Sequence, residues 1–289
     1  MSRDVWASWL LVRRSGGDPE AAERVRKELH PIRDRVLDGA QLRSSDRLLD
    51  VGCGDGLIGF GAVERGLAEV IFSDISQDLL DTCRDLATEL GVVERCRFVH
   101  APAEDLGQLA DGSVEAVTTR SVLIFIQDKA RALREFWRVL APGGRLSLFE
   151  PINRYFCAPG GWVPPTYDVR PIKDLAERVT SVFRQANPPG ASAMMEFDER
   201  DLLNVAELAG FSEIHIHLDI DVQPAEPRKW EYFYQSAPNP LAPTLEEALH
   251  RTLTPTEIER YVDHLRPLVE SGTGTTRRAA AFLSAIKDT

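Results

Sequence analysis

Cysteine is scarce: four residues, Cys53, Cys83, Cys96 and Cys157, in a chain of 289. None forms a CxxC pair, and the spacing suits neither a zinc site nor a small disulfide framework, so no metal or redox role is expected of them. Basic blocks are also missing, since Arg13-Arg14 and Arg277-Arg278 are only pairs. With 34 Lys plus Arg against 45 Asp plus Glu, the net charge is −11. Such a body repels a duplex or an anionic membrane, which excludes nucleic acid as a partner. Long hydrophobic runs are absent: Val122-Leu-Ile-Phe-Ile126 is far short of the roughly 20 residues that span a bilayer. Val5 to Val12 is partly apolar, but Asp4 precedes it, two Arg follow it and no small-residue cleavage site ends it, so a signal peptide is not expected. These absences place the protein in the cytosol. Hydrophobic residues at 43% and charged residues at 27% are globular values, and the length suggests one large domain or two small ones.

What is present falls into three stretches. Residues 1–45 read as a helical N-terminal cap. Trp6, Trp9 and Leu10 share a face, Val25, Leu29, Ile32 and Val36 repeat at helical steps, and Pro31 kinks or restarts the second helix. Residues 46–222 alternate strands and helices. The predicted strands are 48–51, 70–72, 96–100, 114–118, 145–149 and 214–222, with helices after the first two, one capped by Asp128, and one opened by Asp198. Continuous apolar strands with helical crossovers mean an α/β fold, a parallel sheet covered on both faces. An insertion rich in Pro, Gly and aromatics (151–197) is too long for an ordinary connection and reads as a lid or binding segment. Residues 223–289 hold a second, helical insertion with Trp230, Tyr232, Phe233 and Tyr234. A final segment, 279–286, is read as a strand pairing with 212–222, a terminal helix being the alternative. The whole is expected to form one integrated domain.

The chemistry concentrates in Asp50-Val-Gly-Cys-Gly-Asp-Gly-Leu-Ile-Gly59, between a strand and a helix. Glycines there permit positive φ and close ligand approach, while free N–H groups at a helix start attract an anionic group. Gly54, Gly56 and Gly59 satisfy GxGxxG, and Asp74, 20 residues after Gly54, suits a ribose hydroxyl, so a dinucleotide site fits the pattern. Asp50 points elsewhere: a carboxylate beside the loop repels a pyrophosphate and attracts an ammonium or sulfonium. A second turn, Leu140-Ala-Pro-Gly-Gly-Arg-Leu-Ser-Leu148, lies about ninety residues on.

With these motifs in this order, residues 46–151, and more weakly 197–222, resemble the class I S-adenosylmethionine-dependent methyltransferases of small-molecule type. The resemblance implies a Rossmann-like, mostly parallel seven-stranded sheet with helices on both faces, a helical N-terminal cap and two inserted lids. It implies S-adenosylmethionine as cofactor and S-adenosylhomocysteine as product. Residue by residue, it implies that the backbone of Gly52, Gly54 and Gly56, with Asp55 between them, lines the methionine and ribose. Asp50 would lie near the methionine amino group, Asp74 would accept from the ribose hydroxyls and Ile75 would cover the adenine. The family's Asp after the third strand is missing, because Pro102 and Ala103 stand there. The Ala103 N–H then serves the ring nitrogen and Glu104 the exocyclic amine. Arg120 and Ser121 match the position beside the methionine.

The acceptor side is less defined. Glu150, at the carboxyl end of the fifth strand, is the candidate for touching the acceptor, with an ordinary loop carboxylate as the alternative. Asn153 and Tyr155 share that status, and His100 is either a base or a structural histidine. Trp6, Trp9, Arg154, Tyr167 and Tyr234 are candidates for the acceptor wall. His215 and His217 share a strand face with Glu213, Asp219 and Asp221 and read as a solvated surface rather than a metal site; no metal is expected. The expected reaction is in-line methyl transfer to an O, N or C atom of a small organic acceptor, in secondary or specialised metabolism. A general base is required only if that atom is protonated. The rival readings are a nicotinamide-dependent oxidoreductase and a non-catalytic cofactor-binding module; the oligomeric state is unknown.

Overall fold

The computed structural model describes residues 3–155, 167–186 and 193–288. Three helices come first: α1 (Val5–Leu11), α2 (Pro19–Glu28) and α3 (His30–Gly39). Leu29 separates the last two and Pro31 sits in the opening turn of α3, where its missing N–H is harmless. The alternating part follows, as β1 (Arg47–Val51), α4 (Leu57–Glu64), β2 (Glu69–Asp74), α5 (Gln77–Glu89), β3 (Cys96–His100), β4 (Val114–Arg120), α6 (Lys129–Val139) and β5 (Leu140–Pro151). Then come α7 (Lys173–Ala186), α8 (Glu199–Ala209), β6 (Ser212–Pro224), α9 (Trp230–Gln235), α10 (Leu245–Thr252), α11 (Pro255–Ser271) and β7 (Thr275–Ile286). The segment 279–286 is therefore strand, within a longer β7.

The seven strands form one sheet in the order β3-β2-β1-β4-β5-β7-β6. β1 to β5 pair in parallel, and β7 runs antiparallel to both β5 and β6. Successive residues of each central strand point to opposite faces. Leu49, Val51, Ile71, Val117 and Leu148 meet α6 and α8 on one side. Leu48, Val70, Phe72 and Ala116 meet α3, α4 and α5 on the other. A third apolar cluster joins Leu175, Val179 and Phe183 of α7 to Trp230, Leu249, Tyr261 and Leu265 of α9–α11. The two insertions thus bury their apolar faces on each other. Among the described residues no helix is long and apolar enough to cross a membrane.

This order reverses direction between β1 and β4. The crevice outside the carboxyl ends of the strands at such a switch is where open α/β sheets hold ligands.

Candidate active site

A cavity of about 580 Å³ opens at that crevice. Its floor is built from consecutive strand ends: Gly52 after β1, Asp74 and Ile75 after β2, Ala101 to Glu104 after β3, Arg120 to Val122 after β4, and Pro151 at the end of β5. Gly52 and Gly54 have φ of 63° and 56°, a left-handed conformation that a side chain disfavours. A Cβ on Gly52 would run into Val122 Cγ2, and one on Gly54 would come within 2.9 Å of Leu10 Cδ2. The loop therefore lies bare against its neighbours and turns backbone toward the cavity. Asp74 fixes it: one carboxylate oxygen accepts from Gly54 N at 2.9 Å and the other from Ser76 N at 2.9 Å. Burial raises the Asp74 pKa against the hydrogen bonds from Ser76 and Gly54. Ile75 remains 46% exposed beside it, an apolar platform facing the opening.

The cap forms the roof. Asp4 caps α1 by accepting from Trp6 N and Ala7 N, both at 2.9 Å. The same carboxylate accepts from Ser76 Oγ at 2.6 Å, and Asp4 N donates to Asp78. At the far end Trp9 Nε1 donates to Ala237 O at 2.9 Å, and Arg13 clamps both oxygens of Glu247 at 3.1 and 3.0 Å. α1 is thus fastened to β2–α5 on one side and to the helical insertion on the other. Trp6 meets Phe125 edge to face, with centroids 5.0 Å apart. Trp6, Trp9, Leu10 and Phe125 with Met194 give the cavity an apolar wall.

Of the residues expected from the sequence, Gly52, Gly54, Asp74, Ile75, Ala103, Glu104, Arg120, Ser121, Trp6 and Trp9 line this one cavity. The others lie outside this lining. Asp50 is 1% exposed and sits beneath the glycine loop. Its carboxylate accepts from Gly59 N at 3.0 Å and Thr118 Oγ1 at 3.1 Å, tying the first turn of α4 to the sheet. α4 has no side-chain cap at Gly56, so Asp50 supplies a partner for one of its open N–H groups. Burial pushes Asp50 up to about 7, opposed by those two bonds. Asp55 lies 4.0 Å from the Arg14 guanidinium instead of in the lining, and Gly56 is buried behind the loop, where a Cβ would meet Phe60.

Glu150 is fully buried as well. One oxygen accepts from Val122 N and Leu123 N, both at 2.9 Å, and the other from Ile124 N at 3.1 Å. Burial pushes it up to about 7 despite these donors. It holds the turn after β4 in place and has no face toward an acceptor. Asn153 donates to Met194 O, Tyr155 to Glu199, and Arg154 pairs with Asp198 at 3.5 Å. His100 is exposed and bonded through Nε2 to Ile75 O. Tyr167 packs edge-on against Phe233, and Tyr234 stacks on Trp230, both inside the helical cluster. Both rings belong to the third core and are absent from the cavity lining. Cys157 falls outside the described residues. No group of three His, Cys, Asp or Glu among the described residues is arranged to hold a metal.

The sequence reading missed Arg14, Phe125, Ile126 and Met194. Val122 to Ile126 offered a signal, because an apolar run directly after a central parallel strand falls at the ligand edge. Arg14 sits two turns beyond Trp6 and one beyond Leu10, a spacing that suggests a shared face. Met194 lies over forty residues from β5 and carried no signal.

Known proteins share this arrangement. The profile of the methyltransferase domain family matches residues 49–148. The ubiquinone/menaquinone biosynthesis C-methyltransferase UbiE of Vibrio vulnificus is 30% identical over 185 residues, 61% of this chain and 68% of that protein. The YcgJ protein of Bacillus subtilis superposes with a TM-score of 0.56 at 19% identity, covering 90% of this chain and 99% of its own. Haemonchus contortus phosphoethanolamine N-methyltransferase 2, solved with S-adenosyl-L-methionine, gives 0.52 at 15% identity, over 99% of this chain and 57% of its own. The two structures speak for the fold, while the UbiE relationship fixes the family and retires the nicotinamide and non-catalytic alternatives. The chain belongs to the class I S-adenosylmethionine-dependent methyltransferases, and S-adenosylmethionine is its cofactor.

Proposed function

We propose that this enzyme methylates an O, N or C atom of a small, largely apolar organic acceptor, with no nucleic-acid or membrane partner. The observation that carries the reading is the continuity of one cavity of about 580 Å³, from Gly52, Gly54 and Asp74 at one end to Trp6, Trp9, Phe125 and Met194. Its volume is that of a small-molecule site, about 300–1,000 Å³. A net charge of −11 speaks against a polyanionic substrate.

The residues fit the cofactor. Gly52 and Gly54 leave backbone where a Cβ would intrude, and Asp74 offers a carboxylate at the cavity edge for the ribose hydroxyls. Ile75 supplies the adenine face, Ala103 N–H and Glu104 the adenine edge, and Arg120 with Ser121 the methionine end. Bound there, S-adenosylmethionine supplies an electrophilic methyl on a positively charged sulfur. The protein's part is orientation: the apolar wall holds the acceptor atom in line, worth roughly 7–11 kcal/mol when the alignment is good. The roof of α1 excludes water, which strengthens every electrostatic interaction beneath it.

Incubating the purified chain with methyl-labelled cofactor and a fractionated cell extract tests the reading. Label is expected in the low-molecular-mass, organic-extractable fraction. Label confined to protein or RNA would overturn the small-molecule assignment.

A further inference from the structure

The cavity brings two guanidinium groups together, and its described lining lacks a base. Arg14 and Arg120 both line it, and among the described residues neither guanidinium donates a hydrogen bond. Arg14 has a carboxylate only at the limit of pairing, Asp55 at 4.0 Å, and lies 5.8 Å from the Trp9 ring centroid. Its side chain is just 18% exposed. A guanidinium carries five donors in a fixed fork, and burying it without partners is costly. The two cations also act on each other. Burial lowers the Arg14 pKa, Asp55 opposes this, and the Arg120 charge lowers it further. One anion, the carboxylate of the cofactor's methionine, accounts for one of the pair. The resemblance gives that place to Arg120, which leaves Arg14, beside the Trp9 ring.

Bases are missing from the same wall. The described lining contains no His, Lys, Tyr or Cys, and its only acids, Asp74 and Glu104, stand at the adenosine end. The undescribed residues 156–166 and 187–192 carry one titratable side chain in their sequence, Cys157. Glu150 and Asp50 are buried and occupied by N–H and O–H donors. Among the described residues the lining thus offers no group to take a proton from a neutral acceptor.

Resting on the small-molecule reading above, we propose that the acceptor enters as an organic anion, an ionised phenol, enol or carboxylic acid on an apolar body, and that Arg14 is the residue that selects its charge. The acceptor's lone pair forms the bond to the methyl carbon while the C–S pair stays on sulfur. No proton moves, and an anion and a sulfonium become two neutral products. Charge that vanishes in the reaction is poorly served by water, so a dry apolar wall with one guanidinium to bring the anion in suits this step.

The test compares 2-naphthoate with 2-naphthamide, which match in shape and differ in charge, by calorimetry on the full chain saturated with S-adenosylhomocysteine. The naphthoate is expected to bind about tenfold or more tightly than the amide, a difference of roughly 1.4 kcal/mol. Arg14→Gln is expected to bring the ratio close to one and Arg14→Lys to restore part of it. Equal binding of both probes to the native enzyme, or an unchanged ratio in Arg14→Gln, overturns the proposal. If Arg14→Gln does not fold, Arg14→Lys decides: its naphthoate-to-naphthamide ratio must fall below that of the native enzyme, since the ammonium lacks the fixed fork of donors, and an unchanged ratio counts against Arg14. Failure of S-adenosylhomocysteine itself to bind would instead sink the cofactor-site reading, so the two failures are distinct.

Discussion

The floor and the roof of the cavity are built on opposite plans. The floor is made of short segments that each follow a strand, and its hydrogen bonds are largely to backbone: Asp74 to Gly54 N and Ser76 N, Glu150 to three consecutive N–H groups after β4. The roof is a seven-residue helix held by side chains reaching far along the chain, such as Asp4 to Ser76, Trp9 to Ala237 and Arg13 to Glu247. A floor that is mostly backbone tolerates few substitutions and fixes the cofactor. A roof held by single polar clasps can be loosened one at a time, and lids are drawn from such lightly held elements.

The sharpest way to break this contrast is at Gly52. Gly52→Ala adds a side chain at positive φ and drives it into Val122, combining about 1–2 kcal/mol of backbone strain with about 1–3 kcal/mol of overpacking. Calorimetry with S-adenosylhomocysteine should show a loss of about a hundredfold or more. An affinity within a few-fold of native would mean that the floor is not fixed by backbone. Asp74→Ala should act less strongly, by about 1–3 kcal/mol, since two loop N–H groups and the ligand's hydroxyls lose their acceptor. Asp74→Asn keeps one acceptor oxygen and should fall between; a variant no weaker than native would remove Asp74 from the site.

The same division explains what the sequence disclosed. β1, the glycine turn and Asp74 were legible because their constraints are local: a positive φ, a strand end and a spacing of twenty residues. The α/β sheet and the late strand 279–286 followed from apolar runs and alternation. The places of Glu150 and Asp50 were not legible, because a carboxylate at a strand end looks alike whether it faces a ligand or accepts N–H bonds beneath a turn. That choice depends on the path of neighbouring segments. Tyr167 and Tyr234 were drawn to the cavity by composition, whereas α7 and α9–α11 bury them in a core of their own. Met194 reaches the cavity only through tertiary packing that no periodicity encodes.

The roof can be loosened at Arg13. Its pairing with Glu247 is bidentate, but both side chains are over a third exposed, so solvent screening leaves about 0.5–1 kcal/mol. Arg13→Ala should speed S-adenosylhomocysteine release about two- to fivefold, read from tryptophan fluorescence in stopped flow, with little change in melting temperature. Unaltered release would show that α1 does not gate exchange.

The smallest effect belongs to the two buried carboxylates, and it separates scaffold from site. Asp50 and Glu150 titrate near 7 in the folded chain, because burial raises both above their ordinary values of 3.8 and 4.5. The folded protein keeps protons that the unfolded chain has already released between about pH 4 and 7, so their contribution to stability is complete below the unfolded values and is lost as pH rises through 7. The melting temperature should therefore decline from pH 5 to 8. Asp50→Asn, which cannot ionise, should flatten the decline by several degrees, roughly 2–4 °C for each kcal/mol removed. Because, among the described residues, the Asp50 carboxylate bonds only to Gly59 and Thr118, the flattening should come with a smaller loss of cofactor affinity than Asp74→Asn causes. An Asp50→Asn variant with the native pH slope, or with the larger affinity loss, would place Asp50 among the groups that touch the ligand and dissolve the distinction between what holds the floor and what the floor holds.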